Sequence, residues 1–92
     1  MDFRERFGEN MLRIRQARKL TQQNLAELSG VPRSQISIIE NGRRNPRLDT
    51  VLSLATALEV SVESLIDGIS WKPAVVGEGE FLVEDPPELP RV

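Results

Sequence analysis

The beginning of the chain alternates between apolar and polar positions with the period of an α-helix. The apolar positions recur three or four residues apart and are Phe3, Phe7, Met11 and Ile14. This spacing predicts an amphipathic helix from Asp2 to about Arg18. Further apolar stripes follow at shorter intervals, and residues suited to start or end a helix separate them. The pattern therefore predicts an all-α domain built from several short helices.

The second and third helices are predicted to form a pair joined by a short turn. The Thr21 hydroxyl can cap the second helix, and Gly30 suits the left-handed backbone that often follows a helix end. The third helix is expected from just after Pro32 to about Asn41. The side chains assigned to the buried faces of this pair are Leu25, Ala26, Leu28, Ile36 and Ile39. Such a pair with a glycine in its turn is a helix-turn-helix unit, here residues 21–41.

Two further helices complete the predicted domain. The fourth spans about Leu48 to Leu58, and Ser61 is expected to cap a short fifth helix that ends near Gly68. Their inward-facing side chains are predicted to be Leu48, Val51, Leu54, Ala55, Leu58, Val62, Leu65 and Ile66. Because 92 residues are too few for two independent cores, we expect one five-helix domain over residues 1–68.

The pattern changes after Gly68. Two short β-prone runs flank Gly77-Glu78-Gly79, which predicts a hairpin within residues 69–83. A two-stranded hairpin is marginal alone in water, so its apolar side chains need a surface to cover. Three alternatives stay open: the hairpin forms a dimer, docks a partner protein, or folds back on its own domain. Residues 84–92 are acidic and rich in proline, and we expect them to form a disordered tail.

The composition excludes several classes of function. The chain contains no cysteine and no histidine, so it has no disulfide framework, no thiol nucleophile and no histidine general base. No cofactor or metal is expected. An enzyme such as a nuclease would need a cluster of carboxylates to bind a metal ion. The acidic pair Glu63 and Asp67, four residues apart, lies far in sequence from the basic loop. No apolar stretch approaches the length of a membrane span, and the start of the sequence lacks the apolar run of a secretion signal, so we expect a cytoplasmic protein.

The net charge of −2 conceals two halves of opposite sign. From Met1 to Arg47, ten basic residues face five acidic residues, which gives +5. From Leu48 to Val92, two basic residues face nine acidic residues, which gives −7. Nucleic-acid binding depends on the charge of one face rather than of the whole chain. The half that contains the helix-turn-helix unit is therefore expected to contact a polyanion.

The stretch from Leu20 to Pro46 resembles the Cro and phage-repressor-like helix-turn-helix family, also called the XRE family. The elements that carry the resemblance are Thr21-Gln22, Leu25-Ala26, Gly30-Val31, Ile36-Ser37, Glu40-Asn41-Gly42, Pro46 and the stretch from Ala55 to Leu58. The resemblance covers about Phe7 to Leu65. It implies a lambda-repressor-like fold and a regulator of transcription, a repressor rather than an activator. The alternative is an antitoxin-like protein whose C-terminal segment binds a partner protein.

The resemblance also implies a homodimer on a two-fold symmetric site in double-stranded DNA, with half-sites about 34 Å apart. The third helix would enter the major groove. The residues that would contact base edges are Arg33, Ser34, Gln35 and Ile38. The residues that would contact phosphates are Gln22, Asn41, Arg43 and Arg44. Such phosphate contacts fix register without reading sequence.

Chemistry supports these roles at particular positions. An arginine can bind guanine O6 and N7 together, and an outward-facing Ile38 can contact a thymine methyl group. Arg15 and Glu40 match a pair that bridges the first helix to the end of the third in the family. The alternatives are that Ile38 packs under a neighbouring loop or partner, and that the charged residues are ordinary surface groups. Pro32 stands where the family has a serine or threonine cap.

Overall fold

The computed structural model describes residues 1–84, which contain five helices followed by two strands. In chain order the elements are α1 (Phe3–Ala17), α2 (Gln22–Ser29), α3 (Arg33–Glu40), α4 (Leu48–Leu58), α5 (Val62–Leu65), β1 (Ile69–Lys72) and β2 (Glu80–Val83). The predicted five-helix fold with a C-terminal hairpin is confirmed. The tail expected over residues 84–92 lies, apart from Glu84, outside the described residues.

Short polar contacts set the ends of the first two helices. Asp2 accepts a hydrogen bond from the Glu5 backbone N–H at 3.0 Å and so caps α1. Thr21 and Asn24 form a reciprocal capping box, with side-chain to backbone distances of 2.9 and 3.1 Å. Gly30 has a φ of 76° and ends α2. The sequence placed these boundaries within about one residue because the capping side chains themselves define them.

The starts of α3 and α5 lack a side-chain cap. Pro32 precedes α3 and has no side-chain acceptor, so the helix begins at Arg33 without a capping hydrogen bond. Ser61 precedes α5, but its hydroxyl lies 3.3 Å from the Ser64 hydroxyl and makes no cap hydrogen bond. The expected capping role of Ser61 is therefore wrong.

One apolar core lies between the helices. Its buried members are Phe7, Met11, Leu25, Val31, Ile36, Ile39, Val51, Leu54, Ala55, Leu58 and Leu65. Three side chains that the sequence assigned to inner faces are exposed instead: Leu28 at 61%, Leu48 at 73% and Ile66 at 40%. Each lies in the first or last turn of its helix, or just past it. Helical spacing predicts the direction in which a side chain points. It does not predict whether another part of the fold covers that side chain.

The backbones of α1 and α3 approach closely at Gly8. A Cβ atom at this position would lie 2.4 Å from the carbonyl oxygen of Ile39 and 2.8 Å from that of Glu40. Gly42, with a φ of 72°, approaches α1 one turn earlier, where a Cβ would lie 2.9 Å from the Cα of Glu5. The first half of α1 therefore fixes the end of α3 and the beginning of the loop that follows it.

The two strands form an antiparallel hairpin in which Ile69 pairs with Val83 and Trp71 pairs with Phe81. The first strand ends at Lys72 because Pro73 has no N–H to extend the ladder. The connection is therefore the seven-residue segment 73–79, which we call the tip. The sequence had placed the turn at Gly77-Glu78-Gly79 alone. The predicted β-prone run up to Val76 is thus partly wrong, since its end belongs to the tip.

The hairpin packs against α1. The Phe81 ring stacks on the Phe3 ring with a centroid distance of 4.0 Å. Arg6 is 5% exposed and donates hydrogen bonds to the carbonyl oxygens of Asp67 at 3.1 Å and Glu84 at 2.7 Å. The Asn10 amide donates to the carbonyl oxygens of Leu65 and Asp67, both at 2.9 Å. These polar groups satisfy backbone carbonyls that the end of α5 and the hairpin leave without partners.

Candidate nucleic-acid interface

The helix-turn-helix unit consists of α2, a turn at residues 30–32, and α3. The turn is held inward by Val31, which is buried. Ile36 and Ile39 anchor α3 in the core, with exposed fractions of 0% and 1%. Because these two isoleucines fix the rotation of α3 about its axis, they also determine which of its side chains face solvent.

The four side chains assigned to base reading lie on the first two turns of α3, at different depths. Arg33 and Ser34 are exposed in the first turn. Gln35 and Ile38 are half-buried, and Gln35 borders a depression whose opposite wall includes Thr50 of α4. Ile38 is therefore less exposed than the sequence suggested.

A cationic loop follows α3. Asn41, Arg43 and Arg44, which were assigned to phosphate contacts, are all exposed. Arg47 is also exposed, and its guanidinium Nε lies 3.4 Å from a carboxylate oxygen of Asp49. Sequence reasoning did not single out Arg47, although its position three residues after Arg44 in the same loop was the available signal.

The acidic residue in this region is neutralised. Residues 33–47 contain four arginines and one acid, Glu40. Arg15 of α1 binds both carboxylate oxygens of Glu40, with Nε–Oε2 and Nη2–Oε1 distances of 2.7 and 3.0 Å. The side chains are 12% and 5% exposed respectively. Because Glu40 is paired with Arg15 and Asp49 lies against Arg47, the cationic side chains of this surface that have no acidic partner among the described residues are Arg33, Arg43 and Arg44.

The same carboxylate also holds Gln22. The Gln22 side-chain amide donates to Glu40 Oε1 at 3.0 Å, which brings the first residue of α2 to the end of α3. The hydrogen bond from Arg15 to Glu40 raises the pKa of Arg15, while burial of the guanidinium opposes that change. Arg15 additionally donates to the Leu20 carbonyl oxygen at 2.7 Å. The network thus connects three helices and orients a side chain assigned to phosphate contact.

Among residues 1–84, no group of three or more His, Cys, Asp or Glu side chains is arranged to hold a metal ion. Over the same residues, no helix combines the length and the apolar character needed to cross a membrane. The candidate functional site is the cationic surface formed by α3 and the loop after it, where Arg33, Arg43 and Arg44 are exposed.

Comparison with known proteins agrees with this geometry. A family model described as helix-turn-helix matches residues 11–65. The uncharacterized HTH-type transcriptional regulator YqaE of Bacillus subtilis is 34% identical over 80 residues, which cover 87% of this chain and 69% of that protein. The immunity repressor protein of Bacillus phage phi105 is 37% identical over 81 residues, covering 88% of this chain and 49% of the phage protein.

A solved structure shows the same similarity in three dimensions. The restriction-modification controller protein C.AhdI from Aeromonas hydrophila superposes with a TM-score of 0.66 and 40% sequence identity. The superposition covers 67% of this chain and 94% of the controller protein. Sequence and structure therefore give the same classification for the helical part of the chain.

Proposed function

Because this chain belongs to the helix-turn-helix family of DNA-binding transcriptional regulators, we propose that it represses transcription by binding a two-fold symmetric operator as a homodimer. Its relatives are regulators of transcription rather than enzymes. Similarity to a phage immunity repressor supports repression over activation. The observation that carries the proposal is the cationic face, in which Arg33, Arg43 and Arg44 are exposed and have no acidic partner among the described residues, while Glu40 is paired with Arg15.

The proposed mechanism divides the surface into two parts. The first turns of α3 lie in the major groove, where Arg33 binds a guanine and Ile38 contacts a thymine methyl group. The loop residues Arg43 and Arg44 and the first residue of α2, Gln22, contact phosphates on either side and fix the register of α3. The Arg15–Glu40 pair holds these two parts at a constant relative orientation.

Removing a loop arginine is expected to weaken binding to all DNA sequences alike. Arg43→Ala or Arg44→Ala should lower the slope of log affinity against log salt concentration by about 0.9 for each lost phosphate contact. Lys72→Ala is the matched control, because it removes the same charge from the hairpin. Fluorescence anisotropy titrations of one duplex at several salt concentrations provide the measurement. Slopes equal to that of the unmodified protein in both arginine variants would contradict the phosphate role.

Substitutions in α3 are expected to change which sequences are preferred. Arg33→Ala should cost about 1–3 kcal/mol on the preferred site and relax the preference at one base pair. Ile38→Ser should remove a preference for thymine at another position. Selection from a random DNA pool, followed by sequencing, measures both effects. If the unmodified protein and both variants select the same site with the same strength, α3 is not the reading helix.

A further inference from the structure

The hairpin carries an apolar tip and lies beside an apolar cleft on the same molecule. Val75 and Val76 of the tip are 103% and 90% exposed, so they make almost no contact within their own chain. The cleft has a volume of about 130 Å³ and is lined mainly by Phe3, Pro46, Val51, Ile66, Ile69 and Phe81. A cavity of about 150 Å³ holds a ligand as large as benzene, so this cleft has room for valine side chains.

From this pairing of features we propose that the cleft receives the Val75–Val76 tip of a second copy of this chain, and that the exchange is reciprocal. The inference rests on the proposed homodimer and assigns its interface. An interface around a two-fold axis requires that one surface carry both complementary features. The tip and the cleft both belong to the hairpin region, because Ile69 and Phe81 of the strands that the tip connects also line the cleft.

The cleft and the tip expose several large apolar side chains. The large apolar residues that line or adjoin the cleft and tip and remain at least 40% exposed are Leu48, Ile66, Trp71, Val75, Val76 and Phe81. A standard-size interface takes ~800 Å² from each partner, and these six residues are the exposed apolar side chains that the cleft and tip would contribute to it. Apolar surface of this extent on a small domain marks an interaction site.

Charge favours the same arrangement. The tip and the strand that follows it carry Glu78 and Glu80. Two cations lie near residues of the cleft: Arg4, whose guanidinium carbon lies 5.9 Å from the centre of the Phe3 ring, and Arg47, which follows Pro46. They are paired with Asp2 and Asp49, but both pairs are exposed to solvent, so the two arginines can exchange these partners for Glu78 and Glu80 of a second copy. Opposite charges around an apolar centre steer two copies into one register. The cleft and tip include no residue of α3, and the cleft meets the loop after α3 at Asn45 and Pro46.

Disulfide trapping tests the contact directly, because the chain has no cysteine of its own. A protein carrying Val76→Cys is mixed with one carrying Asn45→Cys, which lies at the cleft and is exposed. Mild oxidation should yield a covalent heterodimer on a non-reducing gel, since a disulfide requires Cβ atoms about 4 Å apart. The control mixture pairs Val76→Cys with Glu27→Cys on α2. Equal yields from the two mixtures would overturn the proposal.

A second variant measures the energetic importance of the tip. In Val75→Ser/Val76→Ser, both changes fall on side chains that are exposed in the protomer, so the fold should be retained. We expect this variant to sediment as a monomer and to bind a duplex with two half-sites about 100-fold more weakly, with unchanged affinity for one half-site. Leu28→Ser, which removes an exposed leucine from α2, should leave sedimentation and both affinities unchanged.

The outcomes separate the interface from the proposed function. If the double serine variant remains dimeric and binds two half-sites as the unmodified protein does, the tip is not the interface and the DNA-binding proposal stands. If the unmodified protein sediments as a monomer both alone and with the two-half-site duplex, the proposed dimer and this interface both fail. If the unmodified protein shows no preference among DNA sequences, the proposed function itself is refuted.

Discussion

Replacing Gly8 by alanine is expected to destabilise the domain by about 1–3 kcal/mol, the usual cost of overpacking a tight contact. In an open stretch of helix the same change would stabilise by about 1 kcal/mol, because alanine is the better helix former. Here the added Cβ would lie 2.4 Å from the Ile39 carbonyl oxygen, which is backbone and cannot rotate away. The steric effect therefore decides the sign. Denaturant unfolding followed by circular dichroism measures it.

A glycine without neighbours provides the control. A Cβ at Gly30 would meet nothing within 4 Å, so Gly30→Ala reports only the strain of a φ of 76°. DNA binding should also respond differently in the two variants. Gly8→Ala displaces the end of α3 from α1 and should weaken binding even at temperatures where the protein is folded, whereas Gly30→Ala leaves that contact intact. An unchanged or increased stability of Gly8→Ala would show that α1 and α3 are farther apart than described.

Removing the Glu40 carboxylate while keeping Arg15 is expected to lower the free energy of unfolding by about 3–5 kcal/mol. In Glu40→Leu, the Arg15 guanidinium keeps its hydrogen bond to the Leu20 carbonyl but loses its counter-ion in a site where its side chain is only 12% exposed. The double variant Arg15→Met/Glu40→Leu removes both charges and should recover most of the lost stability. Thermal and urea unfolding of the unmodified protein, Glu40→Leu and the double variant measure these differences in stability.

The same pair of variants separates stability from orientation. In the double variant Gln22 loses its acceptor on α3, so the first residue of α2 is no longer held against the end of that helix. We expect a folded protein with reduced DNA affinity. A double variant as unstable as Glu40→Leu would mean that the leucine packs badly, and a double variant with unchanged affinity would contradict the orienting role of the network.

The helix-turn-helix part of the fold could be predicted from the sequence because its determinants are local. The capping box of Thr21 and Asn24, the left-handed Gly30 and the inward Ile36 and Ile39 each act within one or two turns of the chain. The positions of the exposed arginines after α3 follow from the same elements. Local signals therefore defined both the unit and its outward face, and the family resemblance supplied the roles of individual side chains.

Contacts between distant segments could not be predicted. Arg6 and Asn10 precede Phe7 and Met11 of the apolar stripe, and as polar residues they were not assigned to the interior. They are buried because the hairpin and the end of α5 cover that side of α1. The residues around Arg6 and Asn10 in the sequence do not predict where the hairpin packs. The exposure of Leu28 has a related cause. It depends on where the neighbouring helices end, which is a property of the assembled fold.

The contacts of Arg6 also determine the order in which the protein can mature during its synthesis. Arg6 is bonded to the carbonyl of a residue 78 positions later, and the Asn10 amide to carbonyls 55 and 57 positions later. At about 5–20 residues per second, a ribosome needs roughly 4–16 s to make the segment between Arg6 and Glu84. Throughout that interval the hairpin side of α1 is exposed, although α1 precedes α2 to α5 in the chain. The last described residue therefore completes the surroundings of the first helix, and nascent chains shorter than this keep that face accessible to chaperones.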